Sequence, residues 1–249
     1  LSLARLALLD LREPIQSGIN MSDLRVAADG GRSNHHHVAG AIWSHILDAE
    51  PLAICEYHGD IVFCTHHRGI YRIGVDSEEV WRRKPLSWDL LGNLPDGDVL
   101  VVLTTVGDSI WAFSLGGGWA EIEGDSGQVI RKGIHQFKSS IHGVWFGGDG
   151  NWLFGLSENR IAWWNSEDGD ISVANVNGPI QDATLSNGSW MITGWRQDLR
   201  WSKSQFNSQP DSGIRAEIGH KIVDRADEGF WVLDNLGQWS AFAIEGENS

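Results

Sequence analysis

Five times along the chain a glycine opens an apolar run, a turn follows, and a second run rich in aromatic residues comes after it. The copies read GDIVFCTHHRGIYRI from Gly59, GDVLVVLTTVGDSIWAF from Gly97, GNWLFGLSENRIAWW from Gly150, GSWMITGWRQDLRWS from Gly188 and GFWVLDNLGQWSAF from Gly229. Successive glycines lie 38, 53, 38 and 41 residues apart. A period of roughly 40 residues is that of propeller blades, in which one repeat supplies one four-stranded sheet. The long interval predicts an excess that loops out between Ser114 and Ser140, where Gly116-Gly117-Gly118 and Gly124-Asp125-Ser126-Gly127 are strong turn formers.

The first run of each copy is nearly continuous in apolar and β-branched residues, such as Val99-Leu100-Val101-Val102, which predicts a strand covered on both faces. The second run places Ile70, Ile110, Ile161, Leu199 and Trp239 at matching positions, and large side chains there wedge between neighbouring sheets. One such sheet cannot bury both its faces, so the copies must cover one another, and radial closure removes most exposed edges. The predicted fold is therefore all-β: a β-propeller of five four-stranded blades, or six if the N-terminal region builds another. The last copy runs out before an outer strand, so Asp23 to Ala28 or Gly40 to Ile46 is expected to supply it and close the ring. Leu1 to Leu11 reads as a short amphipathic helix stopped before Pro14. Residues 1–20 are accordingly set apart as an extension, and residues 21–249 as a single propeller domain.

The stretches GDIVFCTHHRGIYRIGVDSEEVW and RIAWWNSEDGDISV resemble the repeats of the WD-repeat and quinoprotein-type propeller superfamily. The resemblance runs from Pro51 to Gly246 and lacks the paired Gly-His and Trp-Asp signatures of WD repeats. It implies architecture and assigns no cofactor.

With 33 acidic against 19 basic side chains the formal charge is −14, which disfavours phosphate backbones and anionic lipid surfaces, so neither nucleic acid nor membrane is an expected partner. The one basic cluster, Arg82-Arg83-Lys84, reads as a solvated strand end. Cys55 and Cys64 flank the turn at His58-Gly59-Asp60 and read as reduced core residues of a cytoplasmic protein. The chain has no run of about 18 to 20 apolar residues.

Three groups of residues are candidates for chemistry or binding. His35, His36 and His37 follow a loop-like Asp-Gly-Gly stretch and are weak metal candidates, because no spaced partner completes a ligand set. Glu56, Asp182 and Asp224 fall on the first strands of their units, with Asp89 less securely placed. Acids gathered at a propeller's centre can serve glycoside hydrolysis when their carboxyl groups lie roughly 5 to 10 Å apart. Of the fourteen tryptophans, most fall inside repeat strands, whereas Trp88, Trp119 and Trp195 lie in less regular segments and are the candidates for exposed contacts. No phosphate loop, HExxH helix or GxSxG elbow occurs. The expected function is a protein-interaction scaffold without chemistry of its own, meeting a partner that carries a basic patch. A lectin-like propeller that takes a glycan on exposed tryptophan is the alternative, and a glycosidase the third.

Overall fold

The computed structural model describes residues 4–14, 38–47, 49–66, 68–92 and 94–244. Among them the chain is all-β, with two single-turn 3-10 helices as its helical content. A two-stranded sheet pairs β1 (Arg5–Leu9) with β2 (Ala41–Ile46). The first four-stranded sheet is β3 (Pro51–Tyr57), β4 (Asp60–Thr65), β5 (Gly69–Ile73) and β6 (Glu79–Arg83). The second is β7 (Leu100–Val106), β8 (Ser109–Ser114), β9 (Gly118–Glu123) and β10 (Val129–Ile134). The third is β11 (Ile141–Phe146), β12 (Asn151–Leu156), β13 (Arg160–Asn165) and β14 (Ile171–Asn175), and the fourth is β15 (Ile180–Ser186), β16 (Ser189–Gly194), β17 (Gln197–Ser202) and β18 (Asp211–Ile214). The last has three strands among the described residues: β19 (Gly219–Asp224), β20 (Phe230–Asp234) and β21 (Trp239–Ala241). In every sheet the spatial order follows the chain. This repeated layout of antiparallel sheets is consistent with a propeller-like fold.

The glycine-led turns explain the regularity. His58 and Gly59 have φ of +49° and +88° and join strands whose last partners are Tyr57 and Asp60; Asn187 and Gly188, at +49° and +71°, do the same between Ser186 and Ser189. Two consecutive left-handed residues make the type I′ hairpin, whose twist matches that of the strands it joins. The strand after the turn is buried almost end to end in β4, β8, β12 and β16.

The second copy is framed differently from the sequence expectation. Gly97 leads β7, the first strand of its sheet, and the turn equivalent to His58-Gly59 falls at Gly107, whose φ is +57°. The segment expected to loop out between Ser114 and Ser140 contains β9 and β10. Its glycines are there for close approach: Gly117 has φ +98°, and a Cβ on it would sit 2.3 Å from the His135 carbonyl oxygen.

The N-terminal helix is a second correction. Arg5–Leu9 is strand β1, paired with β2, and Leu6 is buried against Phe63, Tyr71 and Ile73. A five-residue apolar run satisfies either period, and here the tertiary partner decides. Within 40–46, strand β2 takes β1 as its neighbour and does not complete the last sheet, so the expected closure by that segment is not observed. The alternative closing segment, 23–28, lies outside the described residues.

Contacts divide the chain into two compact units, Leu1–Trp88 with Val102–Ala112 and Ala120–Lys132, and Asp89–Val101 with Phe113–Trp119 and Gly133–Ser249. In the second unit, Trp163 meets Trp190, Trp201 and Phe206 edge to face with centroids 5.2–6.5 Å apart, welding the third sheet to the fourth. Such aromatic pairs add about 0.5–1.5 kcal/mol each beyond their area burial.

Candidate functional site

The three candidate carboxylates occupy three different positions of the repeat. Asp182 stands opposite Thr193, just after a bulge, and at the matching place the other first strands with such a bulge carry Ala53, Gly143 and Lys221. Glu56 stands opposite Ile61, where the third and fourth sheets place Phe146 and Leu185. Asp224 stands opposite Phe230, at the very end of its strand. Each is also committed locally. The Glu56 carboxylate accepts the Gly59 amide and caps its turn, and Asp224 accepts the Ala226 amide at 3.0 Å. Asp182 is buried; it accepts the Trp145 indole at 3.2 Å, the Ile222 amide at 2.9 Å and the Lys221 ammonium at 2.9 Å. Asp89 begins a 3-10 turn and is exposed. Turn capping and sheet stapling account for these acids without chemistry.

The histidines at 35–37 lie outside the described residues, and among the described ones no cluster of His, Cys, Asp or Glu has the makings of a metal site. Both thiols are free, and burial pushes each up to about 11, so neither is poised as a nucleophile. No helix among the described residues is long and apolar enough to cross a membrane.

The tryptophan candidates separate by exposure. Trp88 is 4% exposed and therefore presents no face to a ligand, with the Lys132 ammonium 6.0 Å from its ring centroid. Trp119 is half-buried, stacked on His135 and tilted against Trp164. Trp195 alone of the three is open, at 49%. Trp239, expected in the core, is 41% exposed because its sheet has no described strand outside β21.

Trp195 is held in place from below. Its amide donates to the Pro179 carbonyl at 3.0 Å, Arg196 takes a left-handed φ of +54°, and a Cβ on Gly178 would lie 2.5 Å from the Trp195 Cβ. The indole thus rests on a glycine that nothing larger can replace without moving it. At this end each of the last two sheets is extended by hydrogen bonds beyond its strands. Arg215 donates to the Arg196 carbonyl at 3.0 Å, and Ile218 and Asn235 exchange hydrogen bonds of 3.0 Å through the Ile218 carbonyl and the Asn235 side chain. Ile214, 89% exposed, stands at this end of the fourth sheet opposite Gln197, and Leu236, 63% exposed, lies in the β20–β21 turn that corresponds to the Trp195-Arg196 turn. Arg196, Glu217 and Asp234 lie close to these residues along the chain, and Asp234 caps its own turn by accepting the Leu236 and Gln238 amides at 2.9 and 2.8 Å. Trp195 thus offers an open aromatic face, and Ile214 and Leu236 are exposed aliphatic side chains with charged neighbours in the chain. The adjacent cleft, lined by Ile214, Arg215, Glu217 and Asp234, holds about 210 Å³, less than the roughly 300–1,000 Å³ of small-molecule sites.

Sequence reasoning missed Ile214 and Leu236, which stand in polar stretches. It also missed a buried pair, Asp198 and Arg215, 2.6 Å apart beneath the same end. An acid inside the strand segment QDLRWS was the one available signal, since Asp is depleted from strand interiors.

No protein-family model matches the chain, and no curated protein sequence does. Its fold is matched by 1198 solved chains, too wide a spread for the fold alone to select a function. Two of them are the computationally designed Ika8 protein and U3-55K. The first is 13% identical over 80% of this chain and 60% of its own, with a TM-score of 0.55; the second is 10% identical over 76% and 59%, with a TM-score of 0.56. The chain thus spans about 60% of the length of these two structures, and the likeness is one of fold.

Proposed function

We infer that the chain is a β-propeller whose five repeated sheets are its blades, and that it serves as a non-catalytic scaffold for a protein partner. The observation that carries the reading is Trp195, an indole fixed by its backbone and by Gly178 yet half open, with exposed Ile214 at the same end of the fourth sheet and exposed Leu236 in the corresponding turn of the last. Rigid aromatic anchors flanked by apolar contacts and a polar rim are the usual centre of protein interfaces. The local commitments of Glu56, Asp182 and Asp224 further favour binding over hydrolysis. With a formal charge of −14, the partner is expected to be basic, and association to weaken with salt.

The test is affinity capture from the source cell with wild type and Trp195→Ala. Removing an anchor of this kind costs about 2 kcal/mol or more, so the specific partner is expected to bind at least about thirtyfold more weakly. Undiminished binding by Trp195→Ala and by Ile214→Glu would sink the reading. The open indole also supports a second one, a sugar ring stacked on Trp195. A glycan array decides between them: signal that disappears in Trp195→Ala transfers the site to carbohydrate.

A further inference from the structure

Wholly within the first unit, a cleft of about 260 Å³ opens between β6 and the turn from β9 to β10. Its apolar lining includes Ile70, Trp81 and Ile122, all buried. Among the described residues its charged lining consists of Arg83 and Lys84, with no acidic residue. In this acidic chain that combination is unusual: nearby Arg72, Arg82 and Arg131 each have a carboxylate within 3.2 Å, whereas Arg83 and Lys84 pair with none among the described residues. Arg83 is half-buried, not the solvated strand end its sequence suggests. Its guanidinium lies 5.9 Å from the Trp81 ring centroid and donates to the carbonyls of Arg82 and Ser126, while its Nε is buried without a hydrogen-bond partner among the described residues.

Carbonyl oxygens satisfy donors but leave the charge uncompensated, and a half-buried cation over an apolar floor is best matched by an anion that brings an apolar body with it. Gly127 forms part of the wall, with φ +70° and a place for Cβ only 2.8 Å from the Trp81 ring, so the turn closes directly on the indole. The space is below that of drug-sized ligands and suits a group no larger than one amino-acid residue.

We propose that this cleft binds an organic carboxylate with a short apolar body, its carboxylate at Arg83 and Lys84 and its apolar part against Trp81 and Ile122. Either a free acid or the C-terminal residue of a peptide has this chemistry. Calorimetric titration of the full chain with hexanoate, hexanamide, and acetyl-Ala-Ala-Leu as free acid and as amide distinguishes them. At least one acid is expected to bind about tenfold or more tighter than its amide, the worth of a charge-assisted hydrogen bond, and to weaken as salt is raised. Binding by hexanoate alone assigns the cleft to free acids, and binding by the peptide acid alone assigns it to chain ends. Arg83→Gln is expected to abolish the preference for acid over amide. Should that variant unfold, Lys84→Glu, at an exposed position, carries the test and is expected to abolish acid binding with the fold intact. Equal binding of acid and amide, no binding of either acid at millimolar concentration, or full binding by Lys84→Glu overturns the proposal. Trp195→Ala leaves acid binding unchanged, so this inference and the scaffold reading fail separately.

Discussion

Asp198→Ala is expected to lower the free energy of unfolding by about 3–5 kcal/mol, the usual cost of leaving a buried charge without its partner. Asp198 and Arg215 are both buried and 2.6 Å apart. The Asp198 carboxylate also accepts the Thr193 hydroxyl at 2.7 Å and the Ala243 amide at 2.7 Å. Arg215 donates in addition to the Ala241 carbonyl at 3.2 Å and to the Ser240 hydroxyl. One carboxylate thereby ties the fourth sheet to the chain that follows β21. Urea unfolding followed by circular dichroism measures the loss. Asp198→Leu combined with Arg215→Met removes both charges and is expected to recover most of it, because the pair's net worth is small beside the cost of breaking it. A single substitution costing under about 1 kcal/mol would mean that water reaches Arg215 freely.

The other large effect is expected in acid. His135 sits among Trp119, Phe137, Phe154 and Trp164, with ring centroids 4.4–6.1 Å away. Burial among these rings disfavours the imidazolium and pushes the group down from 6.5 to about 4. As pH falls, the unfolded chain takes up its proton near 6.5 while the folded chain stays neutral to about 4. The contribution is therefore complete above pH 6.5 and is lost progressively down to about pH 4. At 1.36 kcal/mol per pKa unit the loss reaches about 3 kcal/mol. Carboxylates titrate in the same window, so the measurement is the difference between wild type and His135→Phe in urea midpoints at pH 7, 5.5 and 4.5. A difference that does not change with pH would show that His135 titrates as it does in water.

The repeat was the most legible property of the chain because its signals are local. A left-handed turn needs glycine, asparagine or a similar residue, and a strand buried on both faces needs an unbroken apolar run, so Gly59, Gly150, Gly188 and Gly229 mark their hairpins openly. Gly97 misled because β7 is itself apolar enough to pass for a second strand. The glycines at 116–118 and 124–127 misled because close packing and chain reversal call for the same residue, and only coordinates separate Gly117 against the His135 carbonyl from a free loop. The site was less legible for a related reason. Exposure of Trp195 and burial of Trp88 depend on which neighbour covers each ring, and no local spacing encodes that. Ile214 reads as an ordinary strand residue until its register, opposite Gln197 at the last pair of β17 and β18, leaves it at the sheet's end.

Asp182 bears on how the molecule comes apart. Solenoids built from similar units can lose an end repeat while the remainder stays folded, since each unit answers only to its neighbour. Here a single side chain in the fourth sheet receives an indole proton from the third and an amide proton from the last. Peeling either flanking sheet away would strand a buried anion short of a donor, a penalty that falls on the sheet left behind. The three sheets of the second unit are consequently expected to open as one block, with their slowest-exchanging amides sharing a common opening free energy in hydrogen-exchange measurements rather than a gradient from one terminus to the other.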